Sequence, residues 1–193
     1  MSDEPYCFVL MPIGPHRDDG RGDTIDFDRI YTTIVRPAVE EAGLRPLRDD
    51  DLGSGGLVQK FAFEALLACD FVLADLTTPN PNVMYELGIR HAARPSGTLA
   101  MTARAEALPF AVHSLRCLRY ELDQTNVVLR REARRFRAAL AGELRAMQER
   151  GPLVDSPVFQ LVPEWHAVAP LDAAADLPGQ SRRTAFAQAH RAV

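Results

Sequence analysis

The chain has 193 residues, 47% of them apolar, and a formal net charge of −4. That length suits one domain with a short appendage, and the apolar share is enough for a sizeable core. The charge balance gives no whole-protein field to recruit nucleic acid or an anionic membrane, and no apolar run approaches the roughly 20 residues that span a bilayer. Three scattered cysteines, Cys7, Cys69 and Cys117, argue against a disulfide framework and a zinc site. They predict a reducing, cytoplasmic setting. The acidic start Met1-Ser-Asp-Glu lacks the basic-then-apolar pattern of a signal peptide.

In chain order, Tyr6 to Met11 reads as a first strand, ended by Pro12, Gly14 and Pro15. A polar loop rich in Asp, Arg and Gly follows to Asp23. Phe27, Ile30, Tyr31, Ile34 and Ala38 recur at helical spacing, which predicts a helix from Asp26 to Ala42. Pro37 should kink or divide it, and Gly43 should stop it. Leu44 to Leu47 is a short second strand, Asp49 to Gly56 its loop, and Leu57 to Ala68 a buried helix. Asp70 to Asp75 is a third strand, apolar without alternation, as befits a parallel strand covered on both faces. Asn80 or Asn82 should cap a helix to Ala93, with Pro81 in its first turn. Thr98 to Met101 and Leu115 to Tyr120 are the last strands, with a short helix between Arg104 and His113. Asn126 should cap a long amphipathic helix to Arg150. Asp155 to Val162 suits an extended strap, and Ser181 to Val193 a helix in an Ala- and Arg-rich tail. Strand alternating with helix predicts an α/β fold: a doubly wound, five-stranded parallel sheet with helices on both faces.

Chemistry is most visible between Phe71 and Gly88. In open α/β sheets, ligands bind outside the carboxyl ends of the strands. Asp75 stands at such an end and Glu86 on the helix that follows, so both carboxylates are expected to converge on one open cleft. Two carboxylates so placed can cleave a glycosidic bond. Glu86 either captures or shields a ribosyl cation or is a solvated helical glutamate. Asp75 either positions a sugar or caps the turn to Asn80. Tyr85 can stack on a base or cover the core. Asn80 and Asn82 serve as caps or reach a sugar hydroxyl. Gly53-Ser-Gly-Gly56 lacks phosphate-loop spacing and follows three aspartates. Arg130, Arg131, Arg134, Arg135 and Arg137 read as a solvated helix face rather than a nucleic-acid patch. The five histidines show no metal-ligand spacing, and no nucleophile elbow appears.

Ala74-Asp-Leu-Thr77 followed by Asn80-Pro-Asn-Val-Met-Tyr-Glu-Leu-Gly88 and His91-Ala92 resembles the nucleoside 2-deoxyribosyltransferase-like and TIR-like superfamily. The resemblance implies that Glu86 is the nucleophile and Asp75 its strand-end partner. The acid that these transferases carry six residues before the nucleophile is Asn80 here. More narrowly, Val9-Leu-Met-Pro-Ile-Gly14, Phe27-Asp-Arg-Ile-Tyr31, the Asp75 to Gly88 segment and Asp155-Ser-Pro-Val-Phe-Gln-Leu161 resemble the TIR-like "TRAFs-binding" domain. That implies a domain over residues 1–163 and a tail over 164–193, which can begin a following helical region. It also implies a substrate lined by Met11, Pro12, Gly14, Asp28, Asn80, Asn82 and Tyr85. The implied activity is N-glycosidic cleavage or ribosyl transfer on NAD or a related nucleotide, in signalling or defence. NAD is then a substrate rather than a cofactor. The alternative is a non-catalytic signalling module binding a nucleotide or a protein, as a homo-oligomer or within a larger parent protein.

Overall fold

The computed structural model describes residues 4–18, 22–52, 58–162 and 164–166. Five parallel strands form the sheet: β1 (Tyr6–Leu10), β4 (Arg45–Arg48), β5 (Phe71–Asp75), β6 (Thr98–Thr102) and β7 (Cys117–Arg119). Their order is β4-β1-β5-β6-β7, with Phe8 opposite both Leu47 and Val72 and Leu73 opposite Leu99. The fold is therefore doubly wound α/β, and the winding changes direction between β1 and β5.

Strand alternation sorts side chains into two cores. Cys7, Val9, Leu73 and Met101 face α1 (Phe27–Ile30), α2 (Arg36–Glu41) and α5 (Arg130–Arg150) through Ile30, Ala38, Leu140 and Leu144. Phe8, Leu10, Val72 and Ala74 face α3 (Val58–Ala68) and α4 (Pro81–Ala93) through Ala65, Leu66, Val83 and Leu87. Asn80 caps α4, its side-chain oxygen accepting from the N–H groups of Asn82 and Val83.

Five local expectations are refined or changed. The first helix is divided just ahead of Pro37, which stands in the first turn of α2, and the division takes an unexpected form. A π turn over Tyr31–Val35 joins α1 to α2, and the Arg36 N–H reaches back to the Tyr31 carbonyl. The wider turn meets the constraint of Pro37, which has no N–H to continue an α-helical ladder. The polar loop holds a two-stranded antiparallel ribbon, β2 (Pro15–Arg17) with β3 (Thr24–Asp26). Buried Arg104 pins it through Asp18, Asp23 and Asn126. Asn126 sits at a φ of 59° and spends its side-chain oxygen on Arg104, so α5 starts at Arg130 after Leu129 with no side-chain cap. Between β6 and β7 lie only two 3₁₀ turns, Ala105–Ala107 and Phe110–Val112. The expected strap is instead a bridge from Val154 to Ser96, then α6 (Pro157–Leu161) capped by Ser156. The glycine loop at 53–56 and the tail helix at 181–193 lie outside the described residues. Among the described residues, no helix is long and apolar enough to cross a membrane.

Arg90 fixes α4 on the sheet. It is 0% exposed, and its guanidinium donates to the carbonyls of Leu66, Cys69, Asp70, Ser96 and Gly97. Gly97 has a φ of 87°, and a Cβ there would collide with the Asp70 carbonyl oxygen. Arg90→Met should leave several buried carbonyls without a donor, at about 1–3 kcal/mol each. The expected outcome is a loss of at least about 3 kcal/mol in urea unfolding. Gly97→Ala should lower the same midpoint, through strain and the collision.

Candidate functional site

The carboxyl ends of β4, β1 and β5 meet loops that carry most of the polar side chains expected to act. At the end of β4, Arg48 is only 5% exposed. Its Nη1 lies 2.9 Å from Asp28 Oδ1, and its Nε donates to Asp50 Oδ1 at 2.7 Å. Its guanidinium lies over the Tyr31 ring, 4.2 Å from the centroid, and that ring comes from the π turn. Asp28 also accepts the Gly14 N–H at 3.0 Å. The Gly14 amide and the Arg48 cation hold its carboxyl below the usual range. Gly14 has a φ of 71°, which glycine adopts without strain. The loop after β1, the start of α1 and the end of β4 are thus bolted together through one guanidinium.

Asp49, next to Arg48, has a carboxylate oxygen, Oδ1, that is buried without a hydrogen-bond partner. Burial and then neighbouring Asp50 push its carboxyl up. Glu86, half-buried on α4, lies close enough to feel its charge. Burial and then the Asp49 charge push Glu86 up to about 7. Glu86 thus titrates near neutrality, where a carboxyl serves as both acid and base. The hydroxyl of Thr78, beyond the end of β5, is also buried and unpartnered.

Asp75 takes the other of its two expected roles. It is 1% exposed, Oδ1 accepting the Thr77 N–H and Oδ2 the Tyr120 hydroxyl, each at 2.9 Å. Thr77 Oγ1 in turn lies 2.8 Å from the Tyr120 hydroxyl and accepts the Ala103 N–H. Burial raises Asp75 to about 6 against these hydrogen bonds. Its carboxylate caps the turn and ties β5 to the end of β7. It does not share an open cleft with Glu86, which corrects the expected pairing.

The remaining expected residues divide. Gly14 and Asp28 join Arg48 at the edge. Met11 and Pro12 are buried, with Met11 turned into the core, so neither side chain faces a ligand. Asn80 is spent on its cap, and Asn82 is exposed. Tyr85 is 65% exposed and lies edge-on to Phe63 of α3, at 6.3 Å between centroids. The sequence reading passed over Arg48 and Asp49. The strand-end rule that singled out Asp75 applies equally to them, but the triple aspartate read only as an obstacle to phosphate. Among the described residues, no group of three His, Cys, Asp or Glu side chains is placed to hold a metal ion.

Compared with protein-family models, curated proteins and solved structures, the chain gives no match. The site therefore rests on its own geometry.

Two variants separate structure from chemistry. Asp75→Ala should cost about 1–3 kcal/mol in chemical unfolding, because the Tyr120 hydroxyl and the Thr77 N–H lose their acceptor. Glu86 behaves oppositely. It ionises near 4.5 when unfolded and near 7 when folded, so its contribution to stability is complete below 4.5 and lost as pH rises through 7. Glu86→Gln should therefore match wild type in thermal melts at pH 4 and exceed it at pH 8.

Proposed function

We propose that this domain cleaves the N-glycosidic bond of NAD or a related nucleotide, with Glu86 as the group that meets the ribosyl carbon. The observation that carries the proposal is Glu86, half-buried on α4 and held in the field of Asp49 at the carboxyl edge, beside the point where the winding reverses. The resemblance to TIR-like domains points the same way.

In the reaction, the bond between C1′ and the base nitrogen breaks, and its electron pair leaves with the base. A cationic nicotinamide ring departs neutral and needs no proton. Ionised Glu86 bonds to C1′ or shields the oxocarbenium ion that forms. Water then adds to C1′, releasing the Glu86 carboxylate where it had bonded, and gives its proton to the Asp49–Glu86 pair, leaving a hydroxyl on the sugar. Glu86 must be ionised to start, so turnover should rise with pH through about 7. Arg48 is already gripped by Asp28 and Asp50, so a pyrophosphate seeking it has to displace a carboxylate.

A second reading is favoured by the burial of Asp75, which leaves Glu86 without the partner the resemblance implies. On that reading the domain binds a nucleotide or a protein in a signalling assembly and turns nothing over.

Chromatographic product analysis after incubation with a nucleotide panel separates the two. Free base and ribosyl product should accumulate with wild type, and Glu86→Gln should lower the rate by about 10²–10⁴ while melting no lower than wild type. Equal, background-level rates for both proteins would remove the catalytic reading. Ligand-induced stabilisation without product would establish the binding one.

A further inference from the structure

At the opposite, amino-terminal edge of the sheet lies a cavity of about 740 Å³ that the proposed chemistry does not use. Its floor is apolar, formed by Phe71 and Leu99 at the starts of β5 and β6 together with Leu115 and Met147. Residues 151–155, which follow α5, form a further wall. Asp155 fastens that segment to the sheet, its Oδ2 accepting from the N–H groups of Gly97 and Thr98 at 2.7 and 3.0 Å. The Ser156 hydroxyl donates to the His91 carbonyl, and the Trp165 ring N–H to the Ala92 carbonyl. The cavity is thus held open by fixed backbone, and its size falls within that of small-molecule sites.

Two side chains at the end of α4 line it without a partner. His91 is 8% exposed, and among the described residues neither ring nitrogen has a hydrogen-bond partner. Arg94 is half-buried and has no ion pair among the described residues. The other lining arginines differ: Arg150 lies 2.8 Å and Arg116 3.9 Å from Glu143. Burial and the Arg90 charge lower His91 to about 4, so at neutral pH its ring is uncharged and can both donate and accept. The lining also carries acids, Asp70, Glu143 and Asp155, and Asp155 Oδ1 is buried without a partner, so an anionic group is favoured only at the end where His91 and Arg94 stand.

We propose that this cavity is a binding site for a small amphipathic carboxylate, its acid group on Arg94 and His91 and its apolar body over Phe71, Leu99 and Met147. A carboxylate fits because it accepts from both groups, whereas an amine would repel Arg94 and an alcohol would leave its charge unmet. The apolar body fits because burying it releases water from the cavity floor. This site is independent of the acid pair at the carboxyl edge and stands or falls without it.

Octanoate is the probe, with octanol and octylamine as charge controls, followed by calorimetry and thermal melts of the full chain. Octanoate should bind saturably and raise the melting temperature, with octanol and octylamine at least about fivefold weaker. Arg94→Gln should weaken octanoate by about five- to tenfold and leave octanol unchanged. Leu115→Trp should fill the cavity and abolish binding, its own melt reporting that it folds. The proposal is overturned if octanoate fails to bind at about 10 mM, near the weak end of specific recognition. It is also overturned if octanol binds as well, if a folded Leu115→Trp binds unchanged, or if a peptide ending in a free carboxylate binds in strong preference.

Discussion

One buried guanidinium sets the geometry of everything above it. Arg90 donates to five carbonyls drawn from the end of α3, the start of β5 and the turn before β6. Removing a guanidinium from water is expensive, and burial lowers Arg90 to about 10. The cost is offset only if nearly every N–H finds an acceptor, which here it does. Those acceptors come from three elements, so α4 cannot roll about its axis without breaking several charge-assisted bonds at once. Glu86 lies four residues before Arg90, on the same face of the helix. The anchor at one edge of the sheet therefore decides which way the carboxylate at the other edge points.

The carboxyl edge works by the opposite strategy. There Arg48 is gripped by acids rather than carbonyls, and the clamp draws together three segments that are far apart in sequence. Asp28 and Asp50 neutralise the cation and leave Asp49, next to it in sequence, with a buried oxygen that has no partner. Asp49 then acts on Glu86 as a like charge in a half-buried setting, where such repulsion is not screened as it would be in bulk water. Burial on α4 raises the Glu86 carboxyl first and this repulsion adds to it, so it titrates near neutrality. Neither residue would have an unusual acidity on an exposed helix.

What could be read from residues alone depended on how local the cause was. The alternation of strands and helices was legible because each element carries its own periodicity, and the Asn80 cap was legible because its partners lie two and three residues away. The β2–β3 ribbon was not, since its strands are three residues long and polar, and its anchor Arg104 lies some 80 residues on. Asn126 misled for the same reason: a good capping residue was claimed by a distant cation. Asp75 drew attention by standing at a strand end, yet its fate was decided by Tyr120, just beyond the last strand. Asp49 satisfied the same positional rule and was hidden by its neighbours, because a run of acids looks uniform until the fold assigns each one a separate partner.

The π turn has a corollary for how this chain tolerates changes in length. Such a turn is an ordinary helix carrying one surplus residue. Excising one residue from Tyr31–Val35 would return the turn to regular winding with the flanking turns still in phase. Phe27 and Ile30 on one side and Ala38 and Val39 on the other would keep their seats, while Tyr31, whose ring lies beneath Arg48, stands on the turn that is lost. A one-residue deletion there would thus fall on the clamp while sparing the hydrophobic packing around it.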